Sequence, residues 1–352
     1  TVTDKLHVAP WGTSVTTPEV TPGRAKVRIE TKVANKHEGT REAELLVRII
    51  GPDGRVESEK STKRTLAKGM DSTFVQDFEV PNPKRWSVAS PNLYQAECVI
   101  RVENRDVDRV VTTFGIRSIG LDKNRGFVLN GLPLKMKGVN VHHDAGSLGS
   151  AVPIRALERR LEVLKSIGCN AIRTSHNPPA PELLDLCDRM GFVVIDEAFD
   201  KWGKPYNRSF SEWGERDLKD MIRRDRNHPS VVMWSMGNEL ENQGEPDYLK
   251  QLEELVRWAR ESDSTRPVTV ALRPKETSAS KMTKEVLEIA TRVDAISCNY
   301  QESWFENYRK ANPDLIIIGS EIYPYFRGDG DNYKAFKPVN PWLDAAKHDY
   351  VA

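Results

Sequence analysis

From Gly120 onward, short apolar runs alternate with stretches of helical periodicity, and no other feature of the chain limits its fold as much. The runs at 134–141, 169–174, 192–196, 231–236, 268–271, 295–299 and 315–319 read as strands. Between them, 154–167, 181–190, 212–226, 246–261, 284–292 and 303–310 read as helices. The first helix shows why. Leu157, Leu161, Leu164 and Ile167 recur at three- and four-residue spacing, Arg155, Glu158, Arg159, Glu162 and Lys165 fill the other face, and Gly168 supplies a stop. Near-continuous apolar strands that alternate with helices predict a parallel sheet covered on both faces. An open doubly wound sheet is one such solution. It wants a glycine-rich turn after its first strand, where Val139-Asn140-Val141-His142-His143-Asp144 stands instead, so a (β/α)8 TIM barrel fits better.

The residues before this point follow another rhythm. Segments 24–33, 42–50, 72–80, 93–103 and 107–116 alternate or are β-branched, with turn material such as Gly51-Pro52-Asp53-Gly54 and Pro81-Asn82-Pro83 between them. They predict an antiparallel sandwich of the immunoglobulin-like kind over residues 1–117, ahead of a barrel over 118–352. A chain of 352 residues has room for both. Lys plus Arg number 52 and Asp plus Glu 51, so there is little field to draw nucleic acid or an anionic membrane, and neither partner is expected. No apolar run reaches the length of a membrane span, and residues 1–10 lack a signal-peptide pattern. A soluble chain, periplasmic or cytoplasmic in a bacterium and open to homo-oligomerisation, is the expectation. Cys98, Cys169, Cys187 and Cys298 are widely spaced beside apolar runs and read as buried free thiols.

A barrel sets its functional residues at the carboxyl ends of its strands. Here those ends carry His142, His143 and Asp144; Arg173, His176 and Asn177; Asp196, Glu197, Asp200 and Trp202; Asn238 and Glu239; Asn299 and Tyr300; and Ser320 and Glu321. Glu239 closes the fourth strand and Glu321 the seventh, which face each other across the mouth of an eight-stranded barrel. Two facing carboxyl groups suit glycosidic cleavage, one protonating the leaving oxygen and the other attacking the anomeric carbon. Such neighbours push each other's pKa apart, and Glu239 reads as the acid.

Several segments in order resemble the family 2 glycoside hydrolases, the group of β-galactosidases, β-glucuronidases and β-mannosidases. They are Phe114-Gly115-Ile116-Arg117, Asn130-Gly131, Lys137-Gly138-Val139-Asn140, Ile172-Arg173-Thr174-Ser175-His176-Asn177-Pro178, Asp196-Glu197-Ala198-Phe199-Asp200, Arg224-Asp225-Arg226-Asn227-His228-Pro229-Ser230 and Trp234-Ser235-Met236-Gly237-Asn238-Glu239. The resemblance implies that Glu239 is the acid/base and Glu321 the nucleophile. It further implies that Asn238 bonds the sugar 2-hydroxyl, Tyr300 bonds the nucleophile, Arg173 keeps it ionised, His142 and His176 line the terminal subsite, and Asn177 and Asp200 bind substrate. Trp202 offers a flat face for a pyranose. His143 is open between sugar contact and scaffold, Trp234 reads as core, and His228 as a satisfied helix-end residue.

Family members with a divalent cation beside the acid carry a Glu and a His on the third strand, where this chain has Phe199-Asp200-Lys201-Trp202-Gly203, so no metal or cofactor is expected. Asn332-Tyr333-Lys334 is similar to a glucuronate-recognition pair but follows Glu321 too soon. The family's preceding jelly-roll domain and the eighth strand are not seen, which points to an excerpt of a longer protein with a barrel incomplete at its C-terminus. The resulting expectation is a retaining exo-β-glycosidase that hydrolyses terminal β-galactosides by double displacement. The alternatives are a β-glucuronidase or β-mannosidase, or a carbohydrate-binding relative without catalysis.

Overall fold

A computed structural model describes residues 2–202, 210–273, 275 and 278–322. The chain forms two units, one of residues 1–118 with 184–191 and 222–230, the other of the remainder.

The first unit is a β-sandwich. Strands β1 (Leu6–Val20), β2 (Arg24–Asn35) and β5 (Asp71–Pro81) make one antiparallel sheet in the order β1-β2-β5. Strands β3 (Arg41–Ile50), β4 (Val56–Leu66), β6 (Tyr94–Val102) and β7 (Arg105–Phe114) make the other, in the order β4-β3-β6-β7. Period-two patterning decides the inner face. Along β2, Ala25, Val27, Ile29, Thr31 and Val33 are buried while Lys26, Arg28, Glu30 and Lys32 are exposed. Phe74 and Phe78 of β5 join that core with Leu45, Val47, Ile49, Cys98 and Ile100 from the other sheet. The two stretches from later in the chain belong to this unit through polar contacts: Trp86 Nε1 donates to the Asp188 carbonyl at 2.9 Å, and Asn227 bonds the backbone of Thr13 and Val15 at 2.8 Å.

Strands β1 and β4 lie outside the segments that the sequence pattern marks. Pro10 and Gly12 interrupt β1, Trp11 takes a positive φ of 50°, and pairing with β2 slips between Val8 and Thr13, so no regular alternation survives. Strand β4, Val-Glu-Ser-Glu-Lys-Ser-Thr-Lys-Arg-Thr-Leu, is an edge strand with only Leu66 buried, and a polar edge carries no hydrophobic signal.

In the second unit a small antiparallel sheet, β8 (Ile119–Asp122), β9 (Gly126–Leu129) and β10 (Leu132–Pro133), precedes the repeating β/α part. Along the chain then come β11 (Gly138–His142), α1 (Ile154–Ser166), β12 (Ala171–Ser175), α2 (Pro181–Met190), β13 (Val193–Glu197), α3 (Phe210–Asp225) and β14 (Val231–Asn238), with 184–190 of α2 and 222–225 of α3 counted in the first unit. After these follow α4 (Pro246–Ser262), β15 (Val268–Leu272), α5 (Ala279–Ala290), β16 (Ala295–Asn299), α6 (Phe305–Ala311) and β17 (Ile317–Glu321). Strands β11 to β17 form one seven-stranded sheet in chain order, every pair parallel. The sheet curls so far that Asn140 of β11 donates through Nδ2 to the Ser320 carbonyl of β17 at 2.9 Å. Inside it, Ile195, Met233, Ala295 and Ile318 pack together, and Leu121 of β8 rests against them. This architecture is a TIM-barrel arrangement of which seven strands are described; the place of an eighth strand, like residues 332–334, lies outside the described residues.

Helix α4 shows the local logic. Pro246 opens it where no backbone donor is needed, Asp247 and Arg260 match its dipole at the two ends, and Tyr248, Leu249, Leu252, Leu255, Val256 and Ala259 bury one stripe. Outside the strand it covers, Trp234 of β14 is fully buried, bonds Asp263 through Nε1 at 3.1 Å and lies under the Arg266 guanidinium. It is core, as the sequence suggests. All four cysteines are buried free thiols. Among the described residues no helix is long and apolar enough to cross a membrane.

Candidate active site

The carboxyl ends of β11 to β17 converge on one hydrogen-bonded network with Arg173 at its centre. Arg173 is 4% exposed. Its Nη1 donates to Glu321 Oε1 at 2.9 Å and to Asn140 Oδ1 at 3.0 Å, and its Nη2 to Asn238 Oδ1 at 2.9 Å. Through Nε and Nη2 it also grips Glu197 at 2.8–3.0 Å. Tyr300 donates its hydroxyl to the other oxygen of Glu321, and His176 Nε2 lies 3.7 Å from Oε1. Glu239 belongs to the same network through a fully buried amide: Asn299 Nδ2 donates to Glu239 Oε1 at 2.8 Å and to Asn238 Oδ1 at 3.1 Å. An unbroken chain of contacts therefore runs from Glu239 through Asn299, Asn238 and Arg173 to Glu321.

Backbone irregularity aims these side chains. Pairing slips between Ser235 and Asn238 on β14 and between Cys298 and Asn299 on β16, where each strand delivers its amide to the mouth. The residue after each amide takes a left-handed conformation, Glu239 with φ 48° and Tyr300 with φ 56°. Non-glycine residues pay a conformational cost there, and hydrogen bonds hold them: Glu239 N–H to the Ala271 carbonyl at 2.9 Å and Tyr300 N–H to the Glu321 carbonyl at 2.7 Å.

The charges are set asymmetrically. Burial is the largest influence on Glu321 and opposes its ionisation. The hydrogen bond from Tyr300 and the hydrogen bond and charge of Arg173 outweigh it together, and the carboxyl is held below its ordinary value. Burial and then the bonded Glu321 carboxylate push the Tyr300 phenol up, so it remains the donor. Burial also works against the Arg173 cation, but Glu197 and Glu321 keep it firmly protonated.

Asp200 and Lys201 brace the residue before Glu239. The Asp200 carbonyl accepts the Asn238 N–H at 2.8 Å, Asp200 Oδ1 accepts Asn238 Nδ2 at 3.1 Å, and Lys201 Nζ donates to the Asn238 carbonyl at 2.7 Å. Lys201 Nζ also lies 3.1 Å from Asp200 Oδ1. An ammonium group against the nearest third-strand carboxylate is a poor setting for a divalent cation, so these residues do not fit one. A separate group, Asp185, Asp188 and His228, brings ligand-type atoms within 4.8 Å of one another. Its geometry is that of an ion pair: Asp188 accepts from His228 Nδ1 at 2.6 Å and from Ser230 N–H at 3.0 Å.

The structure brings Glu239, Glu321, Arg173, His176, Asn238, Asp200 and Tyr300 into this network. His142 stands at its edge, ring edge toward His176 with centroids 5.2 Å apart. Asn177 is exposed and makes no hydrogen bond to the network among the described residues. His143 turns to the Ser150 carbonyl at 3.1 Å, a scaffold contact. Trp202 is placed differently from the flat platform that the sequence suggests. It is 3% exposed, stacks on Tyr248 and Phe210, and donates Nε1–H to the Met236 carbonyl at 2.9 Å, so its ring serves packing behind β14. Two members, Glu197 and Asn299, stand in the sequence only as strand ends. Their position beside Arg173 and Glu239 depends on which way a strand-end side chain turns, and the sequence holds no direct signal of that.

Comparison with known proteins agrees with this architecture. The family model described as "Glycosyl hydrolases family 2, TIM barrel domain" matches residues 121–322, and the model "Glycosyl hydrolases family 2" matches residues 11–117. A beta-galactosidase of Bacteroides ovatus is 39% identical over 97% of this chain, and a beta-glucuronidase of Bacteroides fragilis is 30% identical over 77% of it. The crystal structure of a glycosyl hydrolase family 2 member from Bacteroides cellulosilyticus superposes on 99% of the chain with a TM-score of 0.89 and 35% identity. The chain spans less than half of each: 41% of the B. ovatus protein, 40% of the B. fragilis protein and 45% of the B. cellulosilyticus chain. Two family models matched in order along a sandwich and a parallel β/α sheet leave one assignment: the chain belongs to glycoside hydrolase family 2.

Proposed function

We propose that this chain carries the catalytic centre of a retaining exo-β-glycosidase that removes terminal β-galactosyl residues by double displacement. The observation that carries the reading is the unequal setting of the two carboxyl groups: Glu321 is held ionised by Arg173 and Tyr300, whereas Glu239 meets the uncharged amide of Asn299. In the first step a Glu321 oxygen forms a bond to the anomeric carbon while the bond to the leaving oxygen breaks and takes up the Glu239 proton. In the second, Glu239 removes a proton from water, the water oxygen bonds to the anomeric carbon, and Glu321 departs as a carboxylate, leaving the β configuration in place. Asn238 has both acceptor positions of Oδ1 filled by Arg173 and Asn299 and one Nδ2 hydrogen used on Asp200. Its second Nδ2 hydrogen is the one left for the sugar 2-hydroxyl. The strand order of the sandwich supports an immunoglobulin-like assignment.

The galactoside preference leans on the B. ovatus relative. The B. fragilis relative favours a second reading, a β-glucuronidase. A covalent step is supported by a Bacteroides uniformis beta-glucuronidase, 26% identical with a TM-score of 0.79, solved covalently bound to cyclophellitol-6-carboxylate aziridine. The test is Glu321→Ala in the complete protein against a panel of aryl β-galactosides, glucuronides and mannosides. Loss of turnover on the sugar that the unaltered protein prefers is expected. An undiminished rate removes Glu321 from the nucleophile role.

A further inference from the structure

Glu197 ends β13 with no solvent exposure, and neither displacement step uses it. Burying a carboxylate is costly unless its lone pairs are filled. Here Oε2 accepts from Arg173 Nε at 2.9 Å, Arg173 Nη2 at 2.8 Å and Ser235 Oγ at 2.7 Å; Oε1 accepts from His176 Nδ1 at 2.7 Å and Arg173 Nη2 at 3.0 Å. Thr174 Oγ1 fixes its backbone by accepting the Glu197 N–H at 2.9 Å. One guanidinium thus serves two carboxylates, the Nε/Nη2 edge on Glu197 and Nη1 on Glu321.

We propose that Glu197 is a positioning residue that divides the charge of Arg173 between itself and Glu321 and turns His176 so that Nε2 faces the nucleophile. This rests on the reading of Glu321 as nucleophile. A carboxylate that takes the Nδ1 hydrogen leaves Nε2 as the ring's other polar edge, which lies 3.7 Å from Glu321 Oε1. When Glu321 is esterified it no longer offers Arg173 a full negative charge, and Glu197 then keeps the buried cation paired until the ester opens. Among the described residues the charged and titratable groups around the pair are Arg173 and His176 from β12 and its following loop, Tyr300 after β16, and Asp196 of β13, whose Oδ1 accepts from Thr174 Oγ1 at 3.2 Å. Asp200 and Lys201 lie beyond Asn238, and Glu239 lies beyond Asn299.

The experiment compares the complete protein with Glu197→Gln and Ser235→Ala, reading kcat/KM for an aryl glycoside against pH within seconds of a pH jump. Glu197→Gln removes the competing charge, strengthens the hold of Arg173 on Glu321, and should move the acid limb down by about one pH unit. Through loss of the His176 geometry it should lower kcat by roughly tenfold or more with KM changed less. Ser235→Ala deprives Glu197 of a donor, makes it lean harder on Arg173, and should move the limb up. Opposite shifts are the outcome expected, and one that a merely structural role does not produce. Limbs that coincide with that of the unaltered protein, or that move the same way, overturn the proposal. If Glu197→Gln does not fold by near-UV circular dichroism, the direction for Ser235→Ala decides. Failure of the underlying reading looks different: the unaltered protein then turns over no aryl glycoside, or Glu321→Ala remains active.

Discussion

Tyr300→Phe isolates the contact on which the ionisation of Glu321 most visibly depends. The substitution deletes one hydroxyl and leaves Arg173 on the opposite oxygen. A hydrogen bond to a charged group is worth about 1.5–3 kcal/mol, and because Tyr300 is 44% exposed the lower end applies. At 1.36 kcal/mol per pKa unit, that end corresponds to a rise of about one unit in the Glu321 pKa. Its carboxyl is depressed in the folded protein, so activity that needs the carboxylate persists above the folded pKa and is lost as pH falls through it; a higher pKa brings that loss on earlier. The acid limb of kcat/KM for an aryl β-galactoside should therefore move up by about one unit. In the proposed double displacement the same hydroxyl would steady the carboxylate that departs in the second step, so hydrolysis of the glycosyl-enzyme should slow by roughly tenfold and aryl release should show a burst. A limb that stays in place or moves down refutes the argument, whatever happens to the rate at neutral pH.

Asn299→Ala removes the donor shared by Glu239 and Asn238; kcat should fall by roughly ten- to a hundredfold, most steeply for aryl leaving groups of high pKa, and a loss independent of leaving group would count against its role in holding the acid. Asp263→Asn removes the buried carboxylate that Arg266 Nη1, Trp234 Nε1 and Thr265 all bond and should cost about 3–5 kcal/mol in urea unfolding. Burial opposes the charge of Asp263, but Arg266 and Thr265 outweigh it and depress its pKa, so its share of stability is present above the ordinary Asp pKa and is lost as pH falls through the depressed one; Asp263→Asn should flatten the stability curve in that range. Gly237→Ala places a Cβ against the Trp202 indole and 3.2 Å from Leu240 Cδ1, an overpacking worth about 1–3 kcal/mol that a thermal melt of the complete protein would register.

What the sequence discloses about this fold follows how strongly each element is coupled to a core. Helix Pro181–Met190 and strand Ala295–Asn299 appear where the pattern puts them, because continuous apolar runs and amphipathic stripes are direct records of burial. Strand β14 extends past its apolar run by two residues, Gly237 and Asn238, since pairing with β15 continues after the hydrophobic signal stops. Strand β4 contributes only Leu66 to the core and is held by pairing with β3, an interaction between backbones that leaves little mark on side-chain choice.

The same distinction governs the site. Glu239, Glu321 and Arg173 are readable because strand ends in a parallel barrel face the mouth, so placing the strands is enough to gather them. Trp202 shows the limit of that inference. An aromatic ring near a strand end satisfies the pattern whether it faces a ligand or the interior, and here Tyr248 of α4 and Phe210 of α3 decide for the interior. Glu197 shows the converse. By residue type it is one more strand-end acid, yet it has zero exposure and is bonded to Ser235, His176 and two nitrogens of the guanidinium that holds Glu321. A buried carboxylate so engaged cannot be exchanged for an apolar side chain without leaving Arg173 with unspent charge beside Glu321, and neither can Arg173 be shortened without exposing both acids to each other. The ionisation of Glu321 thus rests on side chains from two other strand ends, Tyr300 and Arg173, against its own burial, and a sequence that lists these residues does not state which of them are in contact.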